Sequence, residues 1–98
     1  MCHYTATRGF LSGVEVEVWA CHGVDLVKVC LGNRACSMTE VSISLGEYPE
    51  KLVVGGRSIL LDKNMGELFL SLVREAREQS RQNAEIALEL SLLSTASG

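Results

Sequence analysis

Residues 14–31 read VEVEVWACHGVDLVKVCL, and their alternation decides the fold class. Val14, Val16 and Val18 fall on one face of an extended chain and Glu15 and Glu17 on the other, the period of two that marks a half-buried strand. With residues 21–24 as the loop, a return strand mates in register. Val14 then faces Leu31, Val16 faces Val29 and Val18 faces Val27, while on the other face Glu17 meets Lys28 and Trp19 meets Leu26. Apolar meets apolar and acid meets base, as cross-strand contacts favour. A slip of one residue would turn both faces over. The reading is an antiparallel hairpin over 14–31.

Outward from this hairpin, GNRACS (32–37) reads as a loop. In EVSISLG (40–46), Val41, Ile43 and Leu45 alternate with Glu40, Ser42 and Ser44, which predicts a strand over 40–46. EYPE breaks the pattern. KLVVGGRSILLD (51–62) places Gly55-Gly56 between β-branched runs, the signature of a hairpin whose two-residue turn needs positive φ.

Beyond residue 63 the period changes. Asn64 and Glu67 have the spacing of a capping box, and Leu68, Phe69, Leu72, Val73 and Ala76 form the stripe of a helix docked on a sheet. No proline follows, and no glycine between Gly66 and Leu93. The expected fold is α+β: one domain over 1–98, an antiparallel sheet of about five strands (14–31, 40–46, 51–62), then a long or kinked helix over 64–93. A helix of about thirty residues is some 45 Å long, and a six-residue strand about 20 Å. Either the helix breaks near residues 79–83 or its second half reaches past the sheet.

The totals restrict function. With 98 residues, 47% hydrophobic and 21% charged, the chain is globular in composition. Nine basic against twelve acidic side chains give a net charge of -3, which argues against a nucleic-acid partner held by phosphate contacts. The start MCHYTATRGFLSGVEVEV has no apolar run behind a basic end, and no stretch is apolar enough to span a bilayer. The expectation is a soluble, cytoplasmic protein without a membrane partner, whose Cys2, Cys21, Cys30 and Cys36 are free thiols.

The tail, RQNAEIALELSLLSTASG (81–98), carries the main site. Ile86, Leu90 and Leu93, with Ala87 beside them, present the i, i+4, i+7 anchors of a helix that docks in a groove, and contiguous exposed apolar surface marks an interface. The expected partner is a second copy of the chain, another protein, or both. The stretch AEIALELSLLS, with Ala87 and Ser91 set among leucines, also resembles the ubiquitin-interacting motif. That resemblance implies a ubiquitin-binding helix at 84–93. It lacks the acidic run before the helix (SRQN stands there) and the acid after the serine (STASG).

Arg74, Arg77 and Arg81 share a helix edge and are candidate contacts for phosphate or an acidic partner; the other reading is pairing with Glu78 and Glu85 within the helix. Cys2, exposed by methionine removal, would carry its own amine as base and make a thiol-dependent enzyme the alternative function. Cys2-His3 and Cys21-His22 offer soft ligands, yet neighbours on a strand point to opposite faces and no C-x-x-C spacing is present. Gly55-Gly56 lacks the lysine of a phosphate loop. No catalytic residue, metal or cofactor is expected. The sequence reads as a small non-enzymatic interaction module, adaptor or inhibitor in type, that dimerises through its C-terminal helix.

Overall fold

The computed structural model describes residues 2–32, 35–42 and 46–97, without the side chains of residues 91 and 93–97. The described chain runs β1(Thr5–Leu11), β2(Val14–Ala20), β3(Leu26–Leu31), β4(Ala35–Glu40), β5(Lys51–Val54), β6(Arg57–Leu60) and α1(Lys63–Ser97). The first four strands form an antiparallel sheet in the order β1-β2-β3-β4, and β5 and β6 pair as a separate hairpin. This is the expected α+β arrangement, with six strands rather than five.

One face of the four-stranded sheet is covered twice. Helix α1 lies over β1 and β2, and the β5–β6 hairpin packs against β3 and β4. Between them sits a single core that includes Val16, Val18, Val27, Val29, Leu52, Val54, Ile59, Phe69 and Val73. Phe69 is fully buried. The hairpin turn is as expected: Gly55 and Gly56 sit at φ 58° and 77°, the left-handed values a two-residue I′ loop demands.

Strand β1 has no counterpart in the sequence-based expectation. Its inward residues are Thr5, Thr7, Gly9 and Leu11, which do not read as an apolar face. The threonine hydroxyls are instead satisfied from far along the chain: Thr5 Oγ1 donates to Ala76 O at 2.5 Å and Thr7 Oγ1 to Leu72 O at 2.8 Å. At Gly9 a Cβ would stand 3.0 Å from the Leu72 side chain, so glycine lets the helix approach. Ser12 and Gly13, at φ 52° and 74°, close the β1–β2 loop.

Two other elements are displaced from their expected positions. The hairpin 14–31 forms, but its register places Val16 opposite Leu31, Val18 opposite Val29 and Trp19 opposite Lys28. That is two residues from the expected pairing. A two-residue slip leaves every side chain on its original face, so alternation alone does not separate the two registers. The longer loop is closed by Val24 N donating to Cys21 O at 3.2 Å, and Lys28 gains the Trp19 ring, 5.2 Å from its centroid. The fourth strand is Ala35–Glu40, in part of the stretch expected as a loop, rather than 40–46; Ile43 and Leu45 fall outside the described residues. Its inward residues Ala35, Ser37 and Thr39 are small because the β5–β6 hairpin lies close, with Gly55 against Ala35.

The cysteines are paired, not free: Cys2 with Cys21 and Cys30 with Cys36. Cys30 and Cys36 face each other directly across β3 and β4, and the first pair ties the chain start to the end of β2. Asp62, rather than Asn64, caps the helix, its Oδ1 accepting from Met65 N at 2.8 Å. Helix α1 then runs unbroken for 35 residues, as long as the 53 Å major extent of the molecule.

Candidate functional site

The helix changes environment midway. Up to Ser80 it repeatedly sends buried side chains into the core: Phe69, Leu70, Val73, Ala76, Arg77 and Ser80. From Gln82 to Leu90, and again at Leu92, every described side chain is exposed. Of the two outcomes expected for so long a helix, the structure has the second. It does not break at 79–83 but extends past the sheet.

Two features hold that crossing point. Ser80 Oγ accepts from His22 N at 3.1 Å and donates to the carbonyl oxygen of His3, fixing the last docked turn to the segments joined by the Cys2–Cys21 bridge. One residue on, Arg81 spans both sides. Its guanidinium binds the Glu78 carboxylate behind it and Glu85 Oε1 ahead at 2.6 Å. The hydrogen bonds from Arg81 are the first cause holding the Glu78 carboxyl below its ordinary value, and Glu78 in turn raises Arg81. Pairs of this kind contribute only tenths of a kcal/mol each. They sit where the helix loses the sheet.

The tail presents the expected side chains to solvent. Ile86 is 54% exposed, and Leu88, Leu90 and Leu92 are each 62% exposed. Ala87 is exposed as well, whereas the side chains of Leu93 and of Ser91, the serine of the ubiquitin-motif resemblance, fall outside the description. One contributor was misread in the sequence. Leu68, expected to dock on the sheet, is 46% exposed. It stands eighteen residues before Ile86, as Leu72 does before Leu90, and eighteen residues make about five turns. Leu72 packs against Gly9 and the core, so at the docked end Leu68 is the exposed leucine of that helix face.

The three arginines expected along one edge part company. Arg81 is taken by Glu78 and Glu85, Arg74 is exposed, and Arg77 is buried at 9% exposure. Arg77 Nη2 donates to Val24 O, Asp25 O and Val41 O at 3.1, 3.3 and 2.8 Å. It joins the ends of β3 and β4 to the helix. A spacing of three or four puts Arg74, Arg77 and Arg81 on one edge, but gives no sign that the middle one faces the sheet.

The thiol and zinc readings meet a direct obstacle. Cys2 and Cys21 are bonded to each other, so in this form neither is a thiolate nucleophile or ligand. No helix of the described residues is long and apolar enough to cross a membrane. Set against protein-family models, curated proteins and solved structures, the chain matches none of them.

Proposed function

We propose that this protein is a non-enzymatic protein–protein interaction module, adaptor or inhibitor in type, acting through the second half of α1. One observation carries the reading: an unbroken helix leaves its sheet and holds Ile86, Leu88, Leu90 and Leu92 more than half exposed. A single exposed leucine is ordinary, but apolar pairs on a projecting element, Ile86 with Leu90 on one face and Leu88 with Leu92 on the other, are the pattern of an interface.

The first partner we propose is a second copy. An antiparallel pair centred on Gln79 would bring the exposed Leu68 against Leu90 of the second copy, with Glu75, Gln79 and Gln82 as a polar middle layer. A shift of seven residues that moves Leu90 opposite Glu75 also moves Ile86 opposite Gln79, and a polar layer of this kind selects register. Near that centre Glu78 is already neutralised by Arg81.

Cytoplasmic residence would go with free thiols. Two cysteine pairs support an oxidising compartment instead, and intact mass before and after alkylation without reductant decides between the two.

The test is light scattering after size exclusion on the full chain, on a chain ending at Asn83 and on Leu90→Asp. The expected outcome is a dimer that becomes a monomer in both variants. A full chain that is monomeric at high micromolar concentration removes the second copy as partner. A dimer that survives both changes removes the tail as the interface.

A further inference from the structure

Helix α1 and the β5–β6 hairpin cover one face of the four-stranded sheet; the other face carries the exposed Tyr4, Phe10, Leu26 and Met38. There Tyr4, Trp19, Lys28 and Met38 line a depression of about 350 Å³, within the range of ligand sites, about 300 to 1,000 Å³. Strand register sets three of its walls: Trp19 stands directly opposite Lys28, and Lys28 directly opposite Met38. Tyr4 comes over from the chain start, which the Cys2–Cys21 bridge ties to the end of β2.

Both aromatic walls are pinned at their polar tips. Tyr4 Oη donates to Leu26 O at 3.2 Å, and Trp19 Nε1 donates to Glu17 Oε1 at 2.6 Å. The rings are therefore set before a ligand arrives, which spares the cost of ordering them. Their O–H and N–H are spent, so what they offer a ligand is ring surface. Met38, half-exposed, adds a thioether, which packs favourably against aromatic rings.

One charge lines the depression, the ammonium of Lys28, whose Nζ is 5.2 Å from the centroid of the Trp19 ring. Among the described residues no carboxylate lies within ion-pair distance of it. Glu17 is the acid it acts on, and that carboxylate is already engaged. The hydrogen bond from Trp19 is the first cause holding Glu17 below its ordinary value, Arg8 at 2.9 Å follows, and Lys28 comes last. Glu15 and Glu40 share this face but lie outside the lining, Glu15 opposite Phe10 and Glu40 opposite Leu26. Arg8, Glu17 and Lys28 together leave one positive charge.

We infer that this depression binds an aromatic monoacid. Its ring lies among Tyr4, Trp19 and Met38, and its acid group accepts from Lys28 Nζ. Edge-to-face contact with the two rings favours an aromatic body over a saturated one of the same size. The ammonium repels a cationic ligand and gives a neutral one no charge-assisted hydrogen bond. The same group can come from a free acid or from the C-terminus of a peptide ending in phenylalanine.

Trp19 is the one tryptophan of the chain, so its emission reports on this site alone. The experiment titrates the full chain, kept non-reduced, with 3-phenylpropanoate, its neutral amide, 3-cyclohexylpropanoate, and acetyl-Gly-Phe with a free or amidated terminus. Binding is followed by Trp19 emission and by the amide NMR shifts of Lys28 and Met38. The expected result is a saturable response to 3-phenylpropanoate, with the amide about tenfold weaker, the worth of one charge-assisted hydrogen bond. The cyclohexyl acid should bind several-fold more weakly. Lys28→Gln and Tyr4→Ala should each weaken binding of the acid about tenfold. Tighter binding of the free-terminus peptide than of the acid makes a peptide end the source, and the reverse makes it a small acid.

No saturable response, equal binding of the amide, or equal binding of the cyclohexyl acid overturns the proposal. So does unchanged binding in Lys28→Gln. Both substituted side chains lie outside the core, and if either variant fails to fold, the acid against its amide on the native chain decides the matter. The site lies on the sheet face turned away from α1, so its failure would leave the reading of the tail standing.

Discussion

The two halves of α1 share one backbone and owe their order to different physics. Residues 63–80 are held from outside: Phe69, Val73 and Ala76 lie in the core, two threonines of β1 donate to helix carbonyls, and Ser80 binds the loop and chain start beside it. From Gln82 to Leu90, and at Leu92, the described side chains have no such cover. Starting a helix is costly and extending one is cheap, so the docked half supplies the nucleus and the tail propagates from it. The Arg81 pairs with Glu78 and Glu85 span the join. A helix can thus be rigid along its length while its stability is concentrated in one half.

That contrast can be broken by substitution, and the largest effect should come from Phe69→Ala. Emptying a fully buried aromatic site in the docked half should cost about 3–5 kcal/mol in denaturant unfolding; a loss near 1 kcal/mol would mean that the helix is held mainly by something other than this core. Thr7→Val keeps the shape and removes the hydroxyl that reaches Leu72 O. About 1 kcal/mol is expected, and a neutral result would assign the β1–helix contact to packing alone.

Glu17 supplies a smaller, pH-dependent effect on the outer face of the sheet. Its carboxyl is held below the ordinary 4.5, first by the hydrogen bond from Trp19 Nε1 and then by Arg8. A lowered folded-state value means that the stabilisation is complete above 4.5 and is lost as pH falls through the folded value. Glu17→Gln should therefore lower stability at neutral pH by less than about 1 kcal/mol, with a difference that shrinks on acidification. A difference that grows in acid would refute the assignment. The smallest effect belongs to the tail. Leu88→Ala should change stability by less than about 0.5 kcal/mol, and a cost of core size would show that the second half is docked after all.

What the sequence made legible follows the reach of each signal. The alternation of Val14, Val16 and Val18 and the glycine pair at 55–56 are local, and both elements formed. The hairpin register was not legible to within two residues, because Val16 is apolar opposite either Val29 or Leu31. Strand β1 stayed hidden because Thr5 and Thr7 face inward only by virtue of carbonyls about 70 residues away. The leucines of the tail were read as exposed from their crowding around the helix, and Ile86 and Leu90 are. Arg77 was read as surface, since nothing within its own helix announces that Val24, Asp25 and Val41 will converge on it. The Cys30–Cys36 pair was missed for a similar reason. Its closeness arises from strand pairing, and β4 was taken for a loop.

The continuity of α1 at Ser80 has one more consequence. Because the first half cannot turn against its sheet, the second half is indexed to it: each residue added advances the tail by about 1.5 Å and rotates it by about 100°. A single alanine inserted between Ser80 and Ile86 would leave composition, charge and helix content almost untouched. It would nevertheless swing the whole leucine surface more than a quarter turn around the axis. The protein thus fixes the bearing at which that surface meets whatever approaches it, as well as the surface itself.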